Sequence, residues 1–236
     1  SRALFRLDPA DMEAYWNERY FHGLAPPHVV ASVEAMLRFV AATEGELAFL
    51  TDRKFSRHQI SCQVHGAGMI PAMYHLQQIC AQKPELIIQT GIAGAYSPEL
   101  RIGDTVLVSR DRFDHGAEDA HHLLDLFDIG LAEKDQPPYS ATYLPCPATD
   151  LCGPHFRRVD ALTVSVAGGN AQSIAMRRKK YAAQIETMEG AALHYTGLMT
   201  QIPFLQIRSI SNYVEIRNRA NWDIPLALAN NASAIH

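Results

Sequence analysis

Short runs of apolar, mostly β-branched residues alternate along this chain with stretches in which apolar side chains recur every three or four positions. The runs Leu37–Ala42, Ile60–Val64, Leu86–Thr90, Thr105–Ser109, Leu162–Val166 and Phe204–Ser211 predict strands. Between them, Gly68–Ala81 sets Met69, Met73, Leu76 and Ile79 on one helical face, with Pro71 in the first turn where its missing N–H costs nothing. Asn170–Tyr181 and Gly190–Met199 predict two further helices. Strand and helix in alternation predict a layered α/β domain, with ligands at the C-terminal ends of strands. The opening of the chain differs. Asp8-Pro9 forms an N-cap and first-turn pair, Met12, Trp16 and Tyr20 follow at helical spacing, and Gly23 with Pro26-Pro27 stops that helix. The expected division is an N-terminal helical extension over residues 1–35 and a main domain over 36–236.

Composition narrows the class. The 236 residues are 47% hydrophobic and 19% charged, with 14 Gly and 13 Pro, which excludes disordered and collagen-like chains. The 21 basic and 25 acidic side chains leave a net charge of −4, which gives nucleic acid and anionic membranes no reason to bind. No apolar run reaches the roughly 20 residues of a membrane helix, and four cysteines without C-x-x-C spacing fit reduced thiols, so a cytoplasmic protein without a zinc site is expected. Asp114, His115, Glu118, Asp119, His121 and His122 look like a set of metal ligands, yet no spacing orients two imidazoles on one helical face. They read as a solvated loop, and no metal is expected. Arg177-Arg178-Lys179-Lys180 reads as a solvated helix end, where cations favour the helix dipole.

Three strand ends bring glycine and polar groups next to apolar runs: Ala41–Glu46, Thr90–Gly94 and Arg208–Asn212. A fourth segment, Glu186-Thr187-Met188-Glu189-Gly190, sets a thioether beside a carboxylate where a strand gives way to a helix. A sugar can use both, since the carboxylate accepts from two adjacent hydroxyls while the thioether packs on the ring. A first-turn Glu serving the helix dipole is the plainer alternative.

The motifs VAATEGEL, TGIAGAY followed by LRIGDTV, ETMEGAALHY and IRSISN occur in that order between Val40 and Asn212. Together they resemble the nucleoside phosphorylase and nucleosidase superfamily, and the resemblance runs from Met36 to about Asn230. The closing stretch IRSISNYVEIRNRANWDIPLALAN and the FDIGL at Phe127–Leu131 look like those of members that hydrolyse a hypoxanthine nucleoside modified at its 5′ end. The resemblance implies a three-layer αβα fold with a mixed, partly barrel-like central sheet, a small-molecule nucleoside substrate, a homo-oligomer, and no metal or organic cofactor. Position by position, it implies that Glu46 activates the hydrolytic water and that Arg208 helps to hold it. Met188 and Glu189 would bind the ribose, and Ile92, Ala93 and Gly94 would form a wall of the nucleoside pocket. Asn212 stands where adenosine-type nucleosidases carry an aspartate. An amide can donate to N7 or O6 of a 6-oxopurine, so asparagine suits hypoxanthine. Ile92 stands where many phosphorylases have a phosphate-contacting serine, and this change favours water over phosphate as nucleophile. Arg217 and Arg219 are candidates for an anionic 5′ substituent, against the alternative of a solvated basic turn, and Trp222 is expected to pack. The competing readings are an adenosine-type nucleosidase, a purine nucleoside phosphorylase and a non-catalytic nucleoside-binding module.

Overall fold

The computed structural model describes residues 46–50, 60–120, 122–152 and 154–234, with 46–50 and 60–62 described through their backbone. Its strands are β1 (Glu46–Leu50), β2 (Ile60–Val64), β3 (Leu86–Ala95), β4 (Thr105–Asp111), β5 (Gly116–Asp119), β6 (His122–Asp125), β7 (Leu144–Pro145), β8 (Arg157–Thr163), β9 (Ile185–Thr187) and β10 (Phe204–Tyr213). Its helices are α1 (Met69–Ala81), α2 (Ala171–Tyr181), α3 (Gly190–Thr200) and α4 (Ile224–Ala234).

Among the described residues, eight strands form one mixed sheet, and five of them close on themselves. β10 pairs with β4, β4 with β8, β8 with β9, β9 with β3, and β3 with β10 again. Closure removes edges that would otherwise present unpaired backbone groups. The side chains shared by all five strands are small or branched: Ala93, Ala95, Val106, Val108, Val159, Ala161, Ile185 and Ile210 form one buried cluster, as a narrow barrel interior requires. β1 and β2 extend the sheet from β3. A second core forms where Ala72, Leu76 and Ile79 of α1 and Ala192 and Leu193 of α3 meet Ile87, Leu107 and Phe204 of the sheet. α4 packs on β10, β3 and β4. The arrangement is the expected three-layer αβα fold with a partly barrel-like sheet.

Local chemistry fixes the helix ends. The Asn170 side chain accepts from the Ser173 N–H at 2.9 Å and caps α2. Three elements depart from the sequence pattern. The strand expected at Leu162–Val166 lies at Arg157–Thr163, because its first half is exposed and polar and only its second half carries the apolar signal. β3 runs on past Thr90 to Ala95, through a Gly91 whose φ of 155° favours glycine. β9, three residues long, is too short to show a period. The helix over Met12–Tyr20, the strand Leu37–Ala42 and the boundary at residue 35 lie outside the described residues.

The two solvated readings hold in part: Arg178 and Lys179 are exposed in the last turn of α2, while Asp114, Arg177 and Lys180 are drawn into contacts. The hairpin β5–β6 and its flanks fold back onto α2, so acidic and basic segments distant in sequence meet. Asp114 accepts from Arg177 Nε at 2.6 Å and from the Tyr181 hydroxyl at 3.0 Å. Arg178 donates to the Tyr96 carbonyl at 3.1 Å, and Lys180 pairs with Asp125 at 3.2 Å and with Asp128. His115, Glu118, Asp119 and His122 are exposed as expected, while His121 lies outside the described residues.

α3 lies close against the sheet because Gly197 has no side chain: a Cβ there would stand 2.2 Å from Phe204 Cδ1, in a ring that is itself fully buried. Gly197→Ala would gain about 1 kcal/mol of helix propensity but cost about 1–3 kcal/mol in overpacking. The variant is expected to unfold at lower urea concentration than the wild type, and an unchanged or raised midpoint would show that α3 can shift away from Phe204.

Candidate active site

The pairing of β3 leaves a fork in the sheet. β10 follows one edge of β3 from Ile87 to Ala95, so β1 and β9 must share the other. β1 covers that edge up to Thr90, opposite Glu46, and β9 covers it only at Gly94 and Ala95, opposite Glu186 and Ile185. Gly91, Ile92 and Ala93 therefore face a gap. β1 and β9 both run antiparallel to β3, so β9 ends where β1 begins, and Glu46 and Met188-Glu189 flank the gap from opposite sides. This is a switch point of the kind at which α/β sheets bind ligands. It brings together Glu46, Ile92, Ala93, Gly94, Met188 and Glu189 through backbone topology alone.

Glu189 is 7% exposed and held from two sides. Its Oε1 accepts from the Gly68 N–H at 2.9 Å, and its Oε2 lies 3.8 Å from Arg208 Nη2. Arg208, on β10, is 1% exposed, a cation wholly removed from water. Its Nη2 donates to Gln89 Oε1 at 2.8 Å, which turns the amide nitrogen of Gln89 toward His65 Nε2 at 3.4 Å. That nitrogen is then the acceptor, and the His65 Nδ1–H donates to the Gly66 carbonyl at 2.6 Å. The neutral ring this requires matches its titration, since burial first and the Arg208 charge second pull His65 down to about 4. The glycine-rich turn after β2 thus supports the carboxylate through both Gly68 and His65.

Beneath Glu189 lies a second buried acid. Asp111, at the end of β4, has no exposed surface; burial pushes its carboxyl up to about 7, opposed by the Thr163 hydroxyl and by Arg208. The Thr163 hydroxyl donates to Asp111 Oδ1 at 3.0 Å and accepts the Ala191 N–H of α3 at 2.8 Å. His194, one turn further along α3, donates from Nδ1 to the Leu144 carbonyl at 2.8 Å and is held down to about 4, mainly by burial.

Asn212 pairs with Gly94 at the far end of β10, just past a bulge. Its Oδ1 accepts from the Ser211 hydroxyl at 2.8 Å and its Nδ2 donates to the Tyr213 carbonyl at 2.9 Å, which fixes the amide's orientation and leaves its second N–H as a donor. A Cβ on Gly94 would lie 3.3 Å from that Nδ2, so the wall of the gap and the amide are in close contact. Arg217 and Arg219 are exposed and stack over Trp222, at 5.3 and 5.8 Å from the ring centroid. The Arg217 N–H bonds the Gly169 carbonyl and the Asp223 N–H bonds the Ser211 carbonyl, so the loop carrying both arginines folds back beside the strand end that holds Asn212.

Glu186 turns out to be structural. Its carboxylate accepts from the Tyr96 hydroxyl and from the Gly168 N–H at 2.8 Å, and Arg177 Nη1 lies 4.0 Å away. Sequence reasoning missed Gly68, Gln89, Asp111 and Thr163. The run His65-Gly66-Ala67-Gly68 after a strand carries the same glycine signal as Thr90–Gly94, but Gln89, Asp111 and Thr163 sit inside or at the ends of strands and carry none.

Comparison with known proteins bears on the family and the fold. A futalosine hydrolase from Streptomyces coelicolor is 31% identical over 154 residues, covering 64% of this chain and 63% of the relative. A 5′-methylthioadenosine/S-adenosylhomocysteine nucleosidase from Maridesulfovibrio salexigens is 33% identical over 143 residues, covering 56% and 58%. The chain thus spans about six tenths of the length of these relatives. The nucleosidase of that type from Neisseria meningitidis, solved with methylthio-immucillin-A, shares the fold with a TM-score of 0.63 at 18% identity, over 86% of this chain and 92% of that one. The sequence profile of the phosphorylase superfamily matches residues 40–235, and the chain belongs to that superfamily.

Proposed function

We propose that the protein is a nucleosidase that hydrolyses the N-glycosidic bond of futalosine, a 6-oxopurine nucleoside modified at its 5′ end, and releases hypoxanthine in the alternative menaquinone pathway. The observation that carries this reading is the Asn212 amide. Its Oδ1 accepts from Ser211 and one Nδ2 N–H goes to the Tyr213 carbonyl, which orients the amide and keeps its second N–H as a donor that N7 or O6 of a 6-oxopurine can accept. An aspartate in the same place would set a carboxylate oxygen against the Tyr213 carbonyl. The relative named futalosine hydrolase supports the same choice.

The mechanism follows from where charge develops. As the bond to the base lengthens, the sugar gains positive charge and the base negative charge. Glu189, buried and held by Gly68 and Arg208, accepts from the ribose hydroxyls and stabilises the cationic sugar, while Met188 packs against the ring. Asn212 donates to the departing base. Glu46, across the gap at Ile92, removes a proton from water attacking the anomeric carbon. Arg208 Nε is a buried donor without a partner among the described residues, and it suits a role in holding that water. An apolar Ile92 contributes no hydrogen bond to phosphate, and Nη2 of Arg208 is already engaged by Gln89 and Glu189. Arg217 and Arg219, stacked on Trp222, are the cations proposed for an anionic 5′ substituent.

We further propose that the protein works as a homo-oligomer. Ile70 and Tyr74, in the first and second turns of α1 after Gly68, are 85% and 60% exposed, an apolar surface next to the site. Sedimentation should give an oligomer for the wild type and a smaller species for Ile70→Glu; a monomeric wild type removes this part of the reading.

Base release from futalosine, inosine and methylthioadenosine, each with and without phosphate, tests the activity. Hypoxanthine from futalosine, independent of phosphate and lost in Glu46→Gln, is expected. Adenine release would make the protein an adenosine-type nucleosidase, phosphate-dependent inosine cleavage a phosphorylase, and no release a binding module. Asn212→Asp should shift the kcat/KM ratio toward adenine nucleosides by about a hundredfold or more, because the site is built around one hydrogen-bond pattern. A ratio that does not move would remove Asn212 from base recognition.

A further inference from the structure

The N-cap position of α3 poses a problem that the rest of the site solves. Glu189 is the N-cap residue, yet its side chain makes no cap bond, because it reaches away to the Gly68 N–H. The first-turn donors of a buried helix must still find acceptors. The Ala191 N–H finds one on another strand, in the Thr163 hydroxyl of β8 at 2.8 Å. That hydroxyl has one proton, given to Asp111 Oδ1 at 3.0 Å, so the Thr187 hydroxyl at 3.1 Å must donate to it in turn. Thr163 therefore ties together the ends of β4, β8 and β9 and the first turn of α3. Asp111 closes the arrangement from below: a Cβ on Gly190 would lie 2.2 Å from its Oδ2 and 2.1 Å from Gln206 Nε2, so the residue after Glu189 rests directly on these two side chains.

We propose that Thr163 and Asp111 are positioning residues that fix the height and direction of Glu189 by taking over the capping of α3, leaving the Glu189 carboxylate free for the substrate. The proposal rests on the nucleosidase reading of Glu189. The groups facing Asp111 are Arg208 and Gln206 from β10, Thr163 from β8, Gly190 at the start of α3 and the Arg112 N–H on its own segment, with His194 reached through Gln206. Arg208 is thus shared between two acids. When Asp111 is neutral the guanidinium serves Glu189 alone, and when Asp111 ionises the two carboxylates compete for it.

Three variants test this with the nucleoside that the wild type cleaves. Thr163→Val, which keeps the shape and removes the hydroxyl, should lower kcat about 10- to 100-fold, the usual cost of misplacing a site group by about 1 Å, with a smaller change in KM. Thr163→Ser should recover activity to within about threefold. A folded Thr163→Val with wild-type kcat, or a Thr163→Ser as impaired as the valine variant, would overturn the proposal. Asp111→Asn provides the check should Thr163→Val not fold: the wild-type rate should change with pH near neutrality, where Asp111 titrates, and the Asn variant should lose that inflection. An identical profile would count against Asp111. The stability sign follows as well. The folded protein keeps a proton on Asp111 that the unfolded chain releases above about 3.8, so wild-type stability falls relative to Asp111→Asn as pH rises from 4 to 8. A constant difference in Tm over that range would show that the carboxyl does not titrate as the proposal needs. A wild type that releases no base would instead end the nucleosidase reading, and with it this role.

Discussion

A guanidinium with no access to water organises the centre of this protein. Isolated, a buried charge of that kind would cost several kcal/mol, so Arg208 persists only because its surroundings are arranged to receive it. Gln89 takes one donor, Glu189 and Asp111 balance the charge, and His65 stays neutral so as not to add to it. Each of these partners comes from a different element: β3, the start of α3, the end of β4 and the turn after β2. The cation thus links the strands that close the barrel to the helix whose N-cap residue is Glu189. Satisfying the charge and placing the site are the same physical requirement.

The fork in β3 and this polar layer divide the work. The fork is made by backbone pairing, with β1 stopping at Thr90 and β9 beginning at Gly94 on one edge of a strand that β10 covers fully on the other. It opens a gap where glycine and alanine allow a ligand to approach the chain. The polar layer is made by side chains and sets which groups face that gap, in what protonation state and at what angle. At the far end of β10, Asn212 pairs with Gly94, and the loop over Arg217–Trp222 folds back beside that strand end.

The hairpin over Gly116–Asp125 shows how a charge pattern can mislead. Arg177 and Lys180 look like the cationic last turn of an exposed helix, Asp114 like part of a solvated loop, and Asp125 carries no signal in the sequence. Folded together, they neutralise one another, and through Arg177 and Tyr96 they reach Glu186 on β9. An excursion that carries no motif therefore braces the strand that leads into Met188-Glu189.

Much of the fold was legible in the chain, because β3, β4, β10, α1, α2 and α3 carry either a long apolar run or a clear helical period, and the caps Gly68 and Asn170 stand where those periods begin. The motifs around Thr90–Gly94, Met188-Glu189 and Asn212 are weak signals one by one, and it is the family resemblance of their ordered set that joins them into one candidate site. Short β9, the half-exposed β8 and the pairing of the hairpin with α2 were hidden, since a three-residue strand has no period and contacts between distant segments leave no local trace. Gln89, Asp111 and Thr163 were hidden for a further reason. A polar residue inside a strand reads as solvent-facing until the sheet closes and a helix covers it, and only then does it become a buried partner. The sequence by itself determined the elements and the chemical types at the site, because those depend on local spacing; the tertiary structure alone decided which of those groups share one buried cation, because burial and charge pairing exist only between segments brought together by the closed sheet.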